Sequence, residues 1–235
     1  MIDLNEIEIG YKKRLFSIES IQLLKGKVYS LIGANGAGKT TFLRSLQGNI
    51  APIKGQILIN NTEVKFFDRV KLSQTIAFVN SKFDGVDYLR VSDYVGLGRT
   101  PYTNALGRLS EIDLKIVENS LTELNIKHLS NYFTTKLSDG ERQLAAIARA
   151  ISQETDIIIL DEPTAFLDYA NRKLVMKEMR KIATDLQKCI IISSHDLDLC
   201  IESETEILVI NKKTKTLDHF IANSLSKEKL IEIGF

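Results

Sequence analysis

Gly33-Ala34-Asn35-Gly36-Ala37-Gly38-Lys39-Thr40 fits the pattern G-x-x-x-x-G-K-[ST] without a mismatch. Glycines at these places let the backbone curl until its N–H groups point at phosphate oxygens, and a helix opening at the end adds the positive end of its dipole. Lys39 can reach the β- and γ-phosphates of a nucleotide, and the Thr40 hydroxyl can hold Mg²⁺. The surroundings agree with this reading. VYSLI, Val28 to Ile32, is nearly continuous apolar sequence, as expected of a strand covered on both faces. TTFLRSLQG, Thr40 to Gly48, has the look of a helix ending at its glycine. A glycine-rich turn arising by chance would lack this strand–loop–helix setting.

Upstream, IEIG and FSIESIQL alternate apolar and polar residues, which predicts half-buried antiparallel strands joined to the next by a turn at Lys25-Gly26. Downstream, Gln56–Ile59 and Thr75–Val79 are expected as short strands. The pattern turns helical from about residue 81 to 155. Ser110 with Asp113 three residues on forms a capping box, followed by Ile112, Ile116, Val117, Leu121 and Leu124 at helical spacing. A second helix, Gly140 to Ser152, would bury Leu144, Ile147, Ala148 and Ile151. Alternation then returns: strand Asp156–Leu160, helix Tyr169–Leu186, strand Cys189–Ser193, helix Asp196–Glu202, a hairpin turning near Lys212 and Lys213, and a short terminal helix. Strand–helix alternation on both sides of a helical block predicts a parallel α/β core with an inserted helical subdomain.

Two further stretches carry chemistry. Ile157-Ile158-Ile159-Leu160-Asp161-Glu162 is a buried strand ending in two carboxylates. Beside a phosphate loop, Asp161 can hold the water shell of Mg²⁺, and Glu162 is placed to polarise an attacking water as general base. Leu137-Ser138-Asp139-Gly140-Glu141-Arg142-Gln143 opens the second helix. Ser138 and Gly140 there form either an anion site or an ordinary N-cap with acidic first-turn residues.

Composition narrows the classes. The 235 residues are 44% hydrophobic and 26% charged, which suits a globular chain with a sizeable core. Lys+Arg 31 against Asp+Glu 30 leaves +1, giving no electrostatic case for nucleic acid or anionic lipid. The longest apolar runs, such as Leu144 to Ala148, fall far short of the roughly 18 residues of a membrane span. MIDLNEIEIG has no basic n-region, so no signal peptide is expected. Cys189 and Cys200 make no disulfide framework, and His128, His195 and His219 are scattered. A soluble cytoplasmic protein is the expectation.

Taken in order, these motifs resemble one family closely, the ATP-binding subunits of ABC transporters. LSDGERQ resembles its signature motif, and IIILDEPT its Walker B strand. Ala165-Phe166-Leu167-Asp168 is similar to the D-loop, Ser193-Ser194-His195-Asp196 to the switch histidine, and Tyr11 to the A-loop aromatic that stacks on adenine. The match spans residues 11 to 196. It implies an ABC ATPase fold: one domain over 1–235, with 1–80 and 156–235 as the P-loop NTPase core with N-terminal antiparallel β strands, and 81–155 as the helical subdomain. ATP and Mg²⁺ are the implied cofactors. Gly33, Asn35, Gly36, Ala37, Gly38, Lys39, Thr40 and Thr41 would surround the phosphates, and Glu162, His195 and Lys39 would be catalytic. Ser138 and Gly140 would act on the nucleotide of a second copy, with Asp168 also at the nucleotide. The implied partners are a homodimer mate, an integral membrane permease and, indirectly, a substrate-binding protein, with no nucleic acid and no direct lipid binding. The location implied is peripheral, at the cytoplasmic face of the cell membrane.

The chain departs from the family pattern in places. Asp139 stands where Gly is commoner, and Glu141 where Gln is commoner. The Q-loop glutamine is missing from Phe78-Val79-Asn80-Ser81-Lys82; Ser81 aligns with it and is the expected third metal-side residue, with Asn80 and Lys82 as neighbours. The tract from Val91 to Tyr102, with Gly98-Arg99-Thr100-Pro101, resembles the branch that imports iron–siderophore complexes, haem and cobalamin. The expected function is therefore an ABC importer ATPase serving an iron complex. A soluble ABC-type ATPase of an assembly scaffold and a weakly hydrolysing regulatory module are the alternatives.

Overall fold

The computed structural model describes residues 1–104 and 106–221. In chain order it contains β1 (Ile2–Gly10), β2 (Arg14–Leu23), β3 (Val28–Gly33), α1 (Lys39–Leu46), β4 (Lys54–Ile59), β5 (Thr62–Glu63), α2 (Arg69–Thr75) and β6 (Ile76–Val79). There follow α3 (Val91–Gly96), α4 (Glu111–Glu123), α5 (Asp139–Ser152), β7 (Ile157–Asp161), α6 (Tyr169–Asp185), β8 (Cys189–Ser194), α7 (Leu197–Glu202), β9 (Glu206–Asn211) and β10 (Thr216–Phe220). Among the described residues the strands form one sheet in the order β5-β4-β1-β2-β10-β9-β3-β8-β7-β6. β9, β3, β8, β7 and β6 run parallel, while β4, β1 and β2 pair antiparallel, as the alternating N-terminal sequence predicts.

Strand parity sorts the core into two layers. Ile158 and Leu160 of β7 and Ile190 and Ile192 of β8 pack with Leu144, Ile147, Val175 and Met179 from α5 and α6. Their alternate neighbours, Ile157, Ile159, Cys189 and Ile191, pack on the opposite side with Phe42, Leu43 and Leu46 of α1. Each fully buried Ile or Leu contributes about 1.5–3 kcal/mol. The same alternation puts the next residues in step, Asp161 and Ser193, on the α1 face.

Among the described residues β6 ends the sheet, so every second carbonyl along it lacks a strand partner there. α5 and the residue that follows it, Gln153, supply the donors. Gln153 Nε2 donates to the Ile76 carbonyl at 3.2 Å, Arg149 Nη2 to Phe78 at 2.8 Å and Gln143 Nε2 to Asn80 at 3.3 Å. The helix that begins at Ser138 is thereby hung on the strand that leads to Ser81.

The Gly98–Tyr102 tract holds the helical region together. A Cβ on Gly98 would lie 2.3 Å from both the Arg149 carbonyl oxygen and Ser152 Oγ, so only glycine lets the backbones approach. Arg99 is buried and donates to Asp113 Oδ1 at 2.8 Å, to the Ser152 carbonyl at 2.8 Å and to Glu154 Oε2 at 2.9 Å. Its guanidinium lies 4.3 Å from the Tyr102 ring centroid.

The bounds of the expected helices and strands shift by one or two residues; β5 and α2 are additions, and α3 lies in the stretch expected to be helical without bounds of its own. α2, capped by the Asp68 side chain accepting the Lys71 N–H, takes in Thr75, which alternation assigned to the strand. Seven residues are too few for a helical period to show in sequence. Ser110 and Asp113 form the expected capping box at the start of α4. The expected terminal helix lies outside the described residues. Among those residues no helix is long and apolar enough to cross a membrane.

Candidate nucleotide site

The carboxyl ends of β3, β8 and β7 lie side by side, and each leads into a candidate residue. The phosphate loop leaves β3, Ser193 to His195 end β8, and Asp161-Glu162 end β7. Ligands of open α/β sheets bind along such a rim. The loop curls through Gly38, whose φ of +110° suits glycine; a Cβ there would also press on Leu15 and Phe16 at 3.1 Å. α1 then begins with its unpaired N–H groups directed at the loop. Lys39 is buried, donates to the Gly33 carbonyl at 2.7 Å and lies 3.8 Å from Glu162 Oε1. The Thr40 hydroxyl donates to Asp161 Oδ2 at 3.2 Å, bringing together residues from either side of β8.

Glu162 adopts φ +47°, in the left-handed region that costs a non-glycine residue roughly 1–2 kcal/mol. Its N–H is taken by Ser193 Oγ at 2.8 Å, and the Ser193 hydroxyl donates to Asp161 Oδ1 at 2.6 Å. Ser193 stands in the switch-histidine stretch with no role of its own in the sequence; strand parity, which sets it in step with Asp161, is the signal that marks it. His195 is exposed, with Nδ1 3.9 Å from Glu162 Oε2. The adjacent Asp196 is used elsewhere: it caps α7 by accepting the Leu199 N–H and meets Arg172 at 3.3 Å.

The remaining expected residues lie in other settings. Tyr11 is exposed at the turn between β1 and β2. Ser138 caps α5 in a capping box with Glu141, the bland alternative left open by its sequence. The Glu141 carboxylate accepts the Ser138 N–H and hydroxyl, which hold it below the usual carboxylate range. Asp139 pairs with Arg142 in the same turn. Asp168 caps α6 by accepting the Asn171 N–H at 2.8 Å. Ser81 is half-buried after β6 and makes no hydrogen bond to Thr40 or Asp161 among the described residues.

The donor set suits its expected ligands. Thr40 and Asp161 offer hard oxygens, the kind Mg²⁺ takes. Among the described residues no group of three or more His, Cys, Asp or Glu side chains is placed to hold a metal ion.

The sequence profile of ABC transporters matches residues 17–165. The chain belongs to the ABC transporter family. It is an ATP-binding, ABC-type ATPase coupled to transport. This ABC ATPase is 33% identical over 210 residues to the achromobactin transport ATP-binding protein CbrD of Dickeya dadantii, covering 89% of this chain and 78% of CbrD. It is 32% identical over 199 residues to the molybdate import ATP-binding protein MolC of Haemophilus influenzae, covering 85% and 74%. Among solved structures, an inward-facing ABC transporter described as of metal-chelate type superposes with TM-score 0.83 at 28% identity, over 99% of this chain and 88% of that one. Cassettes of this family associate with transporter complexes.

Proposed function

We propose that this ABC ATPase powers import of an iron complex, such as a ferric siderophore or related chelate, through a membrane permease. The observation carrying the reading is the single rim on which Lys39, Thr40, Asp161, Glu162 and His195 meet, in a chain similar to the achromobactin transport protein CbrD and to a transporter of metal-chelate type. In this reading the loop amides and Lys39 grip the β- and γ-phosphates, and Tyr11 stacks on the base. Thr40, Asp161 and, through water, Ser81 hold Mg²⁺. Once bound there, Mg²⁺ neutralises charge on the phosphate oxygens. Glu162 takes the proton of the attacking water, with His195 orienting it. Two copies face each other, so that Ser138, Gly140 and Asp168 of one complete the nucleotide site of the other. The location is peripheral, on the cytoplasmic face, set by the permease and not by lipid.

Co-purification with the permease, followed by reconstitution into vesicles, tests this. ATP-dependent, Mg²⁺-dependent accumulation of a labelled ferric siderophore is expected, with molybdate left outside. Accumulation of molybdate alone would move the cargo to the oxyanion class. ATP turnover in complex with a soluble scaffold and no permease would overturn the importer reading.

A further inference from the structure

We propose that Ser193 is a positioning residue that locks Asp161 and Glu162 into one unit, setting the metal-side carboxylate and the base together. The inference rests on the roles given above to those two residues. β8 lies between the strand that leads into the phosphate loop and the strand that carries the carboxylates, and Ser193 sits in register with Leu31 on one side and Asp161 on the other. It is fully buried, on the α1 face of the sheet.

A serine hydroxyl has one proton and accepting lone pairs. The Glu162 N–H, at 2.8 Å, takes an accepting position, and the proton goes to Asp161 Oδ1 at 2.6 Å. The direction of both bonds is dictated, because an amide N–H can only donate and a carboxylate can only accept. Asp161 is thus gripped at both oxygens: Oδ1 by Ser193 and Oδ2 by Thr40 at 3.2 Å. Its plane is set before any ion arrives.

The other bond stabilises a turn that the chain would otherwise resist. Glu162 stands at φ +47° and precedes Pro163, which narrows its options further. A side-chain acceptor for its N–H, in place of a strand carbonyl, lets β7 stop abruptly and directs the Glu162 carboxylate between Lys39 at 3.8 Å and His195 at 3.9 Å. His195 follows Ser193 by two residues on the same chain segment, so base, metal-side carboxylate and histidine share one support.

The test compares the full-length wild-type protein with Ser193→Ala and Ser193→Thr, the latter keeping the hydroxyl on a strand-compatible side chain. Amide hydrogen exchange by NMR, affinity for a fluorescent ATP analogue in EDTA and in Mg²⁺, and kcat with KM are measured. In Ser193→Ala the Glu162 amide should exchange roughly 10-fold faster, with the Leu160 and Ile192 amides unchanged. Affinity in EDTA should stay within about 2-fold, while the gain from Mg²⁺ and kcat should each fall about 10- to 100-fold at nearly constant KM. Ser193→Thr should restore them. Wild-type exchange, Mg²⁺ gain and kcat in Ser193→Ala would overturn the proposal, as would Ser193→Thr failing as badly as Ala despite full thermal stability. Should the wild type itself not hydrolyse ATP, the proposed function fails, while exchange and Mg²⁺-dependent binding still decide the place of Ser193.

Discussion

Glu141 turns its carboxylate back on Ser138 and accepts both the backbone N–H and the hydroxyl of that residue at 2.8 Å. The acidic departures from the family's signature are thereby absorbed where they stand: Glu141 completes a cap, and Asp139 is neutralised by Arg142. The cap also commits the Ser138 hydroxyl to an anion of its own chain. In the proposed arrangement of two copies, a phosphate arriving from the second copy would have to compete with that carboxylate.

Glu141→Gln keeps the capping geometry and removes the charge. ATP-dependent dimerisation should tighten, by about 3- to 10-fold given that relief of a like-charge contact is worth of the order of 1 kcal/mol. Analytical ultracentrifugation at graded ATP concentrations measures it, and unchanged or weaker dimerisation would contradict the competition.

Glu162→Gln removes the proposed proton acceptor and retains the shape of the site. ATP should still bind, and turnover should fall roughly 10²- to 10⁴-fold. Light scattering at saturating ATP should then report a stable dimer; a monomer with bound nucleotide speaks against closure by two copies.

Gly98→Ala forces a Cβ to within 2.3 Å of the Arg149 carbonyl, on the helix that is hung on β6. The expected loss is about 1–3 kcal/mol, as for overpacked cores, read as a lower urea midpoint with unchanged m-value. A neutral effect would mean that the 3-10 turn around Gly98 can withdraw from α5.

Asp113 is held at about 2 by the Ser110 hydroxyl, the Ser110 N–H and Arg99. Its carboxylate is near 3.9 when unfolded. A group depressed on folding stabilises above its unfolded value, and that stabilisation is lost as pH falls through the folded one. The urea midpoint of the wild type should therefore drop between about pH 4 and pH 2 more steeply than that of Asp113→Asn. At pH 7 the variant should be less stable by roughly 1–3 kcal/mol, and the gap should close in acid. Parallel curves across that window would remove Asp113 as the source.

The Gly98-Arg99-Thr100-Pro101 tract resembles a cargo branch, yet Gly98, Arg99 and Pro101 are engaged in contacts within the chain. Gly98 admits α5, Arg99 joins Asp113 to the end of α5, the Pro101 carbonyl accepts Gln74 Nε2 at 3.1 Å, and the Tyr102 hydroxyl donates to the Gln153 carbonyl at 3.0 Å. In this chain the tract joins α5 to the start of α4 and to the residues before β6.

What could be read along the chain was whatever repeats or clusters locally. The phosphate loop, the strand ending in Asp161-Glu162, the caps at Ser110 and Ser138 and the two-residue alternation of β7 and β8 are all contained in short windows, where period and residue type suffice. Adjacency across the sheet was not in those windows. That β8 stands between β3 and β7 depends on the path of the helical crossovers, and it alone brings Ser193 between Asp161 and Glu162. In the same way α5 meets the free carbonyls of β6, 63 or more residues earlier in the chain, only because the edge of a sheet leaves hydrogen-bonding groups that burial obliges some neighbour to satisfy.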